Sequence, residues 1–506
     1  MLNLFDTAIL ILYFIILAII SLYGIHRYFL IFLYLKGRKK TINPRTYFSE
    51  LPKVTIQLPI YNEKFVCERL INSVCQIDYP QDKLEIQILD DSTDETQEIL
   101  KILVKKYQEK GINIKYFHRN HREGYKAGAL QQGLMKSEGD FIAVFDADFI
   151  VPKDFLLKTI HYFTDEKVGM VQTRWGHINR NYSLLTRLQA ILLDGHFIIE
   201  HIARSYNNLF FNFNGTAGIW RKKTLLQTGG WDGSTLAEDL DISLRAQLLG
   251  WKFIYLPNYV VCAELPIEIN SFKVQQYRWA KGGVQTTKKM LGIILNSKIP
   301  FRQKLESFFH LTANFSFPLM LILTIITFPA AIIRYGLNFK HILMIDFPLF
   351  FFSAFSFFLF YLITQKDLTP NWKKEIKYII MAMSLGAALA INNSIAVFEA
   401  LLNLNSEFIR TPKYGITEEK KFVKEGYILN FKNSIHYLEI VFTFYLIVGI
   451  IAVLFQQIFL TVPFLLFFPI GYFYLNFLPN LNKIKKFFIN YLPTKLTAVS
   501  EVFRRD

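Results

Sequence analysis

Charge is scarce in this chain: Asp, Glu, Lys and Arg make up 19% of its 506 residues, against 52% hydrophobic and 16% aromatic residues. Soluble domains carry about 25% charge, so part of the molecule needs an apolar solvent. Cysteine is nearly missing. Cys67, Cys75 and Cys262 are odd in number and show neither CxxC nor metal-ligand spacing, which excludes a disulfide scaffold and a zinc ribbon and leaves reduced, structural thiols. Internal repeats and low-complexity tracts are absent too, so a solenoid or a disordered linker protein is excluded. Net charge is +16, but the basic residues cluster at the borders of apolar runs rather than in a nucleic-acid-binding motif. The expected partner is an anionic lipid bilayer, not nucleic acid.

A membrane helix needs roughly 20 apolar residues, and residues 7–35 supply them with only His26 and Arg27 interrupting. No basic region precedes this run and it is too long for a signal core, so it reads as a retained anchor. Lys36, Arg38, Lys39 and Lys40 follow, which places the next domain in the cytosol by the positive-inside rule. Further spans are expected at 308–333, 342–364, 436–455 and 458–477, five in all. The stretch 376–404 does not fit: it is flanked by lysines and arginines at both ends and carries Asn392, Asn393, Ser394 and Glu399. An interfacial or re-entrant helix is expected there, because its polar residues are costly in lipid unless protected, with a simple span as the alternative. The expected division is 1–35 anchor, 36–300 soluble domain, 301–364 two spans, 365–434 interfacial helix and cytosolic loop, 435–482 two spans, and 483–506 cytosolic tail.

Between the membrane segments, short β-rich runs alternate with helical ones from Lys53 onward. This pattern predicts an α/β domain with a mostly parallel sheet and helices on both faces, where ligands bind at the carboxyl ends of strands. Acids stand at those ends. Phe141-Ile-Ala-Val-Phe145 runs into Asp146-Ala-Asp148, and residues i and i+2 of an extended chain point to one side, so both carboxylates suit a divalent cation; turn aspartates are the plain alternative. Asp90-Asp91-Ser92 ends a second strand, where Ser92 and Glu95 fit a capping box, with an acid that holds a nucleoside as the alternative. Thr235 and Glu238 fit another capping box, and Asp241 pairs with Arg245 at i+4. Asp239 is left over for general-base work. In Gln275-Gln-Tyr-Arg278-Trp279, Gln275, Arg278 and Trp279 share a helix face; Arg suits phosphate and Trp a sugar ring, unless they are a snorkelling Arg and a membrane-belt Trp.

In this order, Leu58-Pro-Ile-Tyr61-Asn-Glu63, Asp90-Asp91-Ser92-Thr-Asp94, Asp146-Ala-Asp148, Phe213-Asn-Gly215-Thr216-Ala-Gly218, Ala237-Glu238-Asp239 and Gln275 to Trp279 resemble processive members of glycosyltransferase family 2. The narrower resemblance is to the cellulose-synthase-like group that makes β-linked mannan and glucan backbones, including bacterial relatives. It implies a nucleotide-sugar-binding GT-A-like domain beside an α-helical transmembrane bundle. It places Tyr61 and Glu63 at the nucleotide base, Asp91 at the nucleoside and Lys126 at the diphosphate. Asp146 and Asp148 are implied to hold Mg²⁺ or Mn²⁺, with Asp146 also on the donor, and Asp239 is implied as the catalytic base. Gln275 and Arg278 are placed at the donor diphosphate, and Trp279, Gly215, Thr216 and Glu238 at the acceptor. The implied donor is UDP-glucose or GDP-mannose, and the acceptor a growing polysaccharide or a glycolipid, with accessory export proteins as possible partners; Asn392, Asn393, Glu399 and the aromatics of the spans then suit a polar path for the growing glycan, unless the helices only anchor the enzyme beside a lipid acceptor. The family's Thr-Glu-Asp is Ala237-Glu238-Asp239 here, which keeps the base and loses the threonine hydroxyl. Phe408-Ile-Arg-Thr-Pro-Lys413 is similar to the family's cytosolic gating loop, Phe-x-Val-Thr-x-Lys.

Overall fold

Val54-Thr-Ile-Gln-Leu and Leu84-Glu-Ile-Gln-Ile-Leu are β-branched-rich runs whose polar members are matched in pairs, so both can be buried on both faces. In the computed structural model, which describes residues 3–336, 348–349, 351–404, 409–418, 433–455 and 462–476, they are neighbouring strands. Thr55 donates to Glu85 at 2.6 Å, Gln57 to Gln87 at 3.1 Å, and Lys115 to Glu85 at 2.8 Å. These bonds remove the cost of the buried polar groups.

Eight strands form one sheet: β1 Val54–Ile60, β2 Leu84–Asp90, β3 Ile114–His118, β4 Phe141–Val144, β5 Phe149–Ile150, β6 Val168–His177, β7 Gly218–Arg221 and β8 Lys252–Ala263, in the order β3-β2-β1-β4-β7-β6-β8-β5. The first four are mutually parallel, as is the β6–β8 pair, whereas β7 runs antiparallel to both neighbours and β5 to β8. The expected parallel sheet is therefore present, with an antiparallel insertion that alternation alone does not signal. Parallel register, Ile60 opposite Asp90 and Gln57 opposite Val144, brings Tyr61, Asp91 and Asp146 to one edge. Burial pushes the Cys67 and Cys75 thiols up to about 12, and all three cysteines are free.

One face of the sheet shares its core with two apolar helices. Leu30, Ile31, Leu33 and Tyr34 of the helix Leu4–Gly37 and Phe360 of the helix Ser356–Leu368 pack with Ile142, Val144, Phe197 and Trp220. Each such side chain contributes roughly 1.5–3 kcal/mol when fully buried, so domain and bundle form a common core. Arg38 and Tyr34 add contacts of 2.6 Å and 2.5 Å to Asp367.

Among the described residues, three helices are long and apolar enough to cross a membrane: Leu4–Gly37, Phe301–Gly336 and Ile435–Phe455. The spans expected at 342–364 and 458–477 lie partly outside the described residues, as does the expected tail 483–506 entirely; their described parts are helical at Ser356–Leu368 and Val462–Asn476. The stretch expected at 376–404 is a pair of helices, Trp372–Ala388 and Ala390–Leu401, bent by 41°, the geometry of a broken span or a re-entrant segment. Its polar residues turn to the helix Ile269–Asn296: Asn392 donates to the Lys273 carbonyl at 3.0 Å, and Glu399 lies 3.0 Å from Lys281. Those two side chains are committed to helix packing, which the expectation of a glycan path did not foresee.

Candidate active site

β1 ends by turning through Asn62, whose φ of 54° is left-handed. Asn adopts that region more readily than most residues because its short side chain bonds locally. Here its backbone N–H donates to Ser92 Oγ at 2.8 Å and its side-chain Oδ1 accepts from the Thr93 N–H at 2.8 Å, tying the ends of β1 and β2. Ser92 is thereby spent, and the expected Ser92–Glu95 capping box does not form. The helix Thr96–Gln108 starts instead with Asp94 Oδ1 accepting from the Thr96 N–H at 3.0 Å. Tyr61 is covered by the Arg122 guanidinium, 3.3 Å from the ring centroid, and Asp91 accepts two bonds from Arg119 at 2.7 and 2.6 Å. This end of the cavity offers a flat cation and an aromatic face, suited to a nucleobase.

At the end of β4, Phe145 turns into the core and Asp146 and Asp148 face outward. Lys126 Nζ lies 2.6 Å from Asp146 Oδ1, 2.9 Å from the Gly215 carbonyl and 4.0 Å from Glu238. Lys413 Nζ lies 2.7 Å from Asp148 Oδ2, and Arg410 Nε 3.1 Å from Glu63. The segment 409–418 therefore lies over the acids. Burial pushes the Glu63 carboxyl up to about 8 against the opposing pull of Arg410. Glu264, just past β8, anchors the segment by accepting from the Tyr414 and Ile416 N–H groups at 2.9 and 3.1 Å.

The helix Glu238–Leu248 begins at Ala237 with no side-chain cap, so the Thr235–Glu238 capping box is also unformed. Asp241 does pair with Arg245, at 2.7 Å. Glu238 and Asp239 are thus free to face the cavity. Gly215 stands against them: its φ is 80°, and a Cβ there would lie 3.2 Å from Asp239 Oδ2 and 3.3 Å from Lys126 Nζ. Burial, and then the negative charge of Glu238, push the Asp239 carboxyl up to about 7. That is the range a general base needs near neutral pH.

Gln275, Arg278 and Trp279 line the same cavity, of about 250 Å³, as Asp146, Asp239 and Lys126. Arg278 lies in the field of Glu238, Asp146 and Asp239, which sets aside the reading of a snorkelling arginine; Trp279 is 37% exposed at the wall. Tyr61, Glu63, Asp91, Asp148, Gly215 and Glu238 also line it. Thr216 does not. It is fully buried, and its Oγ1 accepts from the Asp146 N–H at 2.9 Å, so it braces an acid from behind rather than meeting an acceptor. Arg119, Arg122 and Glu264 were missed by sequence reasoning, and Arg410 was singled out only as part of the gating-loop resemblance; the basic run His118-Arg-Asn-His-Arg122 at the end of β3 carried a signal for two of them, whereas Glu264 had none.

Among the described residues, no cluster of three His, Cys, Asp or Glu groups is placed to enclose a metal ion. Asp146 and Asp148 still fit a hard cation: they are two oxygen donors at one strand end, and each already draws an ammonium group as counter-charge. A diphosphate would complete the coordination, as is usual where magnesium is held by one or two carboxylates and substrate phosphates.

Comparison with known proteins agrees with this arrangement. Residues 141–478 match the model described as Glycosyl transferase family group 2, and residues 55–225 that of Glycosyl transferase family 2. The probable glucomannan 4-beta-mannosyltransferase 2 of Oryza sativa subsp. japonica is 43% identical over 291 residues, 56% of this chain and 50% of that protein. Glucomannan 4-beta-mannosyltransferase 9 of Arabidopsis thaliana is 43% identical over 255 residues, 49% of this chain and 48% of its own. The chain spans about half the length of the curated relatives it matches. A mannosyltransferase from Pyrobaculum calidifontis, solved with GDP-Man and Mn²⁺, superposes with a TM-score of 0.50 at 19% identity, covering 78% of this chain and 100% of that one, which shows a shared GT-A-like fold. With about two thirds of its length inside one family model and the family's acids and QxxRW side chains on one cavity wall, the chain belongs to glycosyltransferase family 2, in its cellulose-synthase-like group.

Proposed function

We propose that the protein is an inverting, metal-dependent membrane glycosyltransferase that moves a hexose from a nucleotide sugar onto a growing β-linked polysaccharide. The observation that carries this reading is the meeting of Asp239, Lys126, Asp146, Arg278 and Trp279 in one cavity. The relatives' printed names and the GDP-Man of the Pyrobaculum structure favour GDP-mannose as donor over UDP-glucose and a β-mannan as product. Lys36, Arg38, Lys39 and Lys40 after the first membrane helix favour a cytosolic face for the domain.

The nucleoside lies between Tyr61, Arg122 and Asp91. Asp146 and Asp148 hold Mg²⁺ or Mn²⁺, which when bound supplies Lewis-acid neutralisation of the diphosphate. Lys126 and Arg278 take up the charge that develops on the leaving group. Asp239 accepts the acceptor hydroxyl's proton, and that oxygen bonds to the anomeric carbon from the face opposite the diphosphate. The bond from that carbon to the phosphate oxygen breaks with its electron pair, so an α-linked donor gives a β-linked product in one displacement.

The test is a donor panel with the purified full chain and Mn²⁺ or Mg²⁺, followed by size-resolved analysis of radiolabelled product. Long β-linked polymer from GDP-mannose is expected. A chloroform-soluble single-sugar lipid would replace polymer synthesis with lipid glycosylation, and no transfer from any nucleotide sugar would overturn the reading.

A further inference from the structure

His177, at the end of β6, belongs to no motif singled out above, yet it lines the cavity with Trp175, Leu265 and Trp279. β6 pairs with β8 at His177 and Ala263, and β8 pairs with β5 at Ala263 and Phe149, the neighbour of Asp148. Adjacent strands lie about 4.8 Å apart, so His177 stands two strands, or about 10 Å, from the row of that acid. Trp279, on the helix Ile269–Asn296, lines the same cavity.

The ring is fixed by a buried carboxylate. His177 Nε2 lies 3.0 Å from Asp194 Oδ1, with side-chain exposures of 5% and 4%. Asp194 Oδ2 in turn accepts from Arg180 Nη1 at 2.5 Å and from Gln365 Nε2 at 3.2 Å, and Arg180 Nη2 donates to Gln365 Oε1 at 2.8 Å. Arg180 supplies a permanent positive charge to the same carboxylate. The contact to Asp194 assigns the ring hydrogen to Nε2, because the bond made by one imidazole nitrogen sets the state of the other. Nδ1 then presents a lone pair and has no hydrogen-bond partner among the described residues.

A cavity that holds both a rigid acceptor atom and an exposed tryptophan face offers the chemistry that recognises a glycan: one pyranose ring covers the aromatic face and a hydroxyl of the chain donates to the fixed lone pair. We propose that His177 binds the acceptor glycan, its Nδ1 accepting a hydroxyl hydrogen of a sugar unit in the cavity that Trp279 also lines, with Asp194, Arg180 and Gln365 as positioning residues. This rests on the glycosyltransferase reading above and adds a residue for acceptor recognition.

The two nitrogens can be probed separately. In His177→Asn the amide occupies the place of Nδ1, whereas in His177→Gln it reaches the place of Nε2 and keeps the bond to Asp194. With the full chain in detergent, fluorescent β-mannohexaose binding, GDP-mannose binding and transfer are measured for wild type, both amides and His177→Phe. Loss of one hydroxyl bond is expected to weaken mannohexaose binding about five- to tenfold in His177→Phe and His177→Gln. His177→Asn recovers most of it, and GDP-mannose affinity stays within about twofold throughout. Recovery by His177→Gln and not by His177→Asn would assign the side chain to holding Asp194 and overturn the proposal. So would a parallel fall in GDP-mannose affinity, or equal mannohexaose binding in all four proteins. Wild type that binds mannohexaose through His177 but transfers nothing removes the enzymatic reading alone, whereas normal transfer with unchanged binding in every variant removes this one alone.

Discussion

Lys413 Nζ lies 2.7 Å from Asp148 Oδ2, so a side chain of the segment 409–418 sits on one of the two acids that suit a metal ion. An ammonium group and a divalent cation at one carboxylate repel each other strongly at this burial. Before donor arrives, the lysine and the metal therefore compete. Lys413→Met is expected to tighten Mn²⁺ binding to the donor-free protein on the order of tenfold, read by electron paramagnetic resonance titration. Unchanged Mn²⁺ affinity would mean that Lys413 leaves Asp148 in solution.

With Asp239 as the proposed base, its carboxyl, raised to about 7 by burial and by Glu238, is expected to set the acid limb of the reaction. A base works only when unprotonated, so transfer is full above that value and is lost as pH falls through it. Glu238→Gln removes the neighbouring charge and should move the limb of kcat/KM to lower pH. Asp239→Asn should cut transfer by about 10²–10⁴ and leave donor binding near normal. A limb that stays in place in Glu238→Gln, or wild-type turnover in Asp239→Asn, would remove Asp239 from the role of base.

Gly215 is required twice over, by its φ of 80° and by its approach to Asp239 and Lys126. In Gly215→Ala the new methyl group is tighter against both than ordinary contacts allow, and the left-handed backbone adds about 1 kcal/mol of strain. Displacing a catalytic group by about 1 Å costs on the order of 10²-fold in rate. The expected outcome is a kcat lowered by roughly that factor with a small loss of thermal stability, measured on the same preparation. Wild-type kcat in Gly215→Ala would show that the base tolerates a displaced loop.

The features legible in the sequence were those whose information is local. The strand Phe141–Val144 with its acid-x-acid end, the helix face of Gln275, Arg278 and Trp279, and the Asp241–Arg245 pair depend on residues a few positions apart. The two expected capping boxes failed for a non-local reason in one case, since Ser92 is taken by Asn62 across the sheet, and in the other because the chain enters the helix at Ala237 without a side-chain cap. Thr216 matched a motif, but its side chain is buried under Asp146. Glu264 and His177 find their roles in partners brought by strand pairing and by a segment 150 positions away, and nothing in their own surroundings marks them.

Glu399 links the two membrane-side parts of the site. Tyr277 donates to it, Lys281 lies 3.0 Å away, and Lys281 and Lys288 also donate to the carbonyls of Leu404, at 2.8 Å, and of Ala400 and Leu401, at 3.0 and 2.9 Å. The helix that bears Arg278 and Trp279 therefore grips the end of Ala390–Leu401, nine positions before Arg410 and twelve before Lys413. Breaking one side of a buried ion pair is costly, whereas replacing both partners by neutral groups of similar volume is often tolerated. Glu399→Gln should lower thermal stability and raise the donor KM several-fold. Lys281→Met combined with Glu399→Gln should recover the stability without recovering the KM, because the link to the segment 409–418 stays cut. Recovery of both together would reduce Glu399 to a partner for a buried lysine, and a donor KM unchanged in either variant would separate that segment from the helix of Arg278.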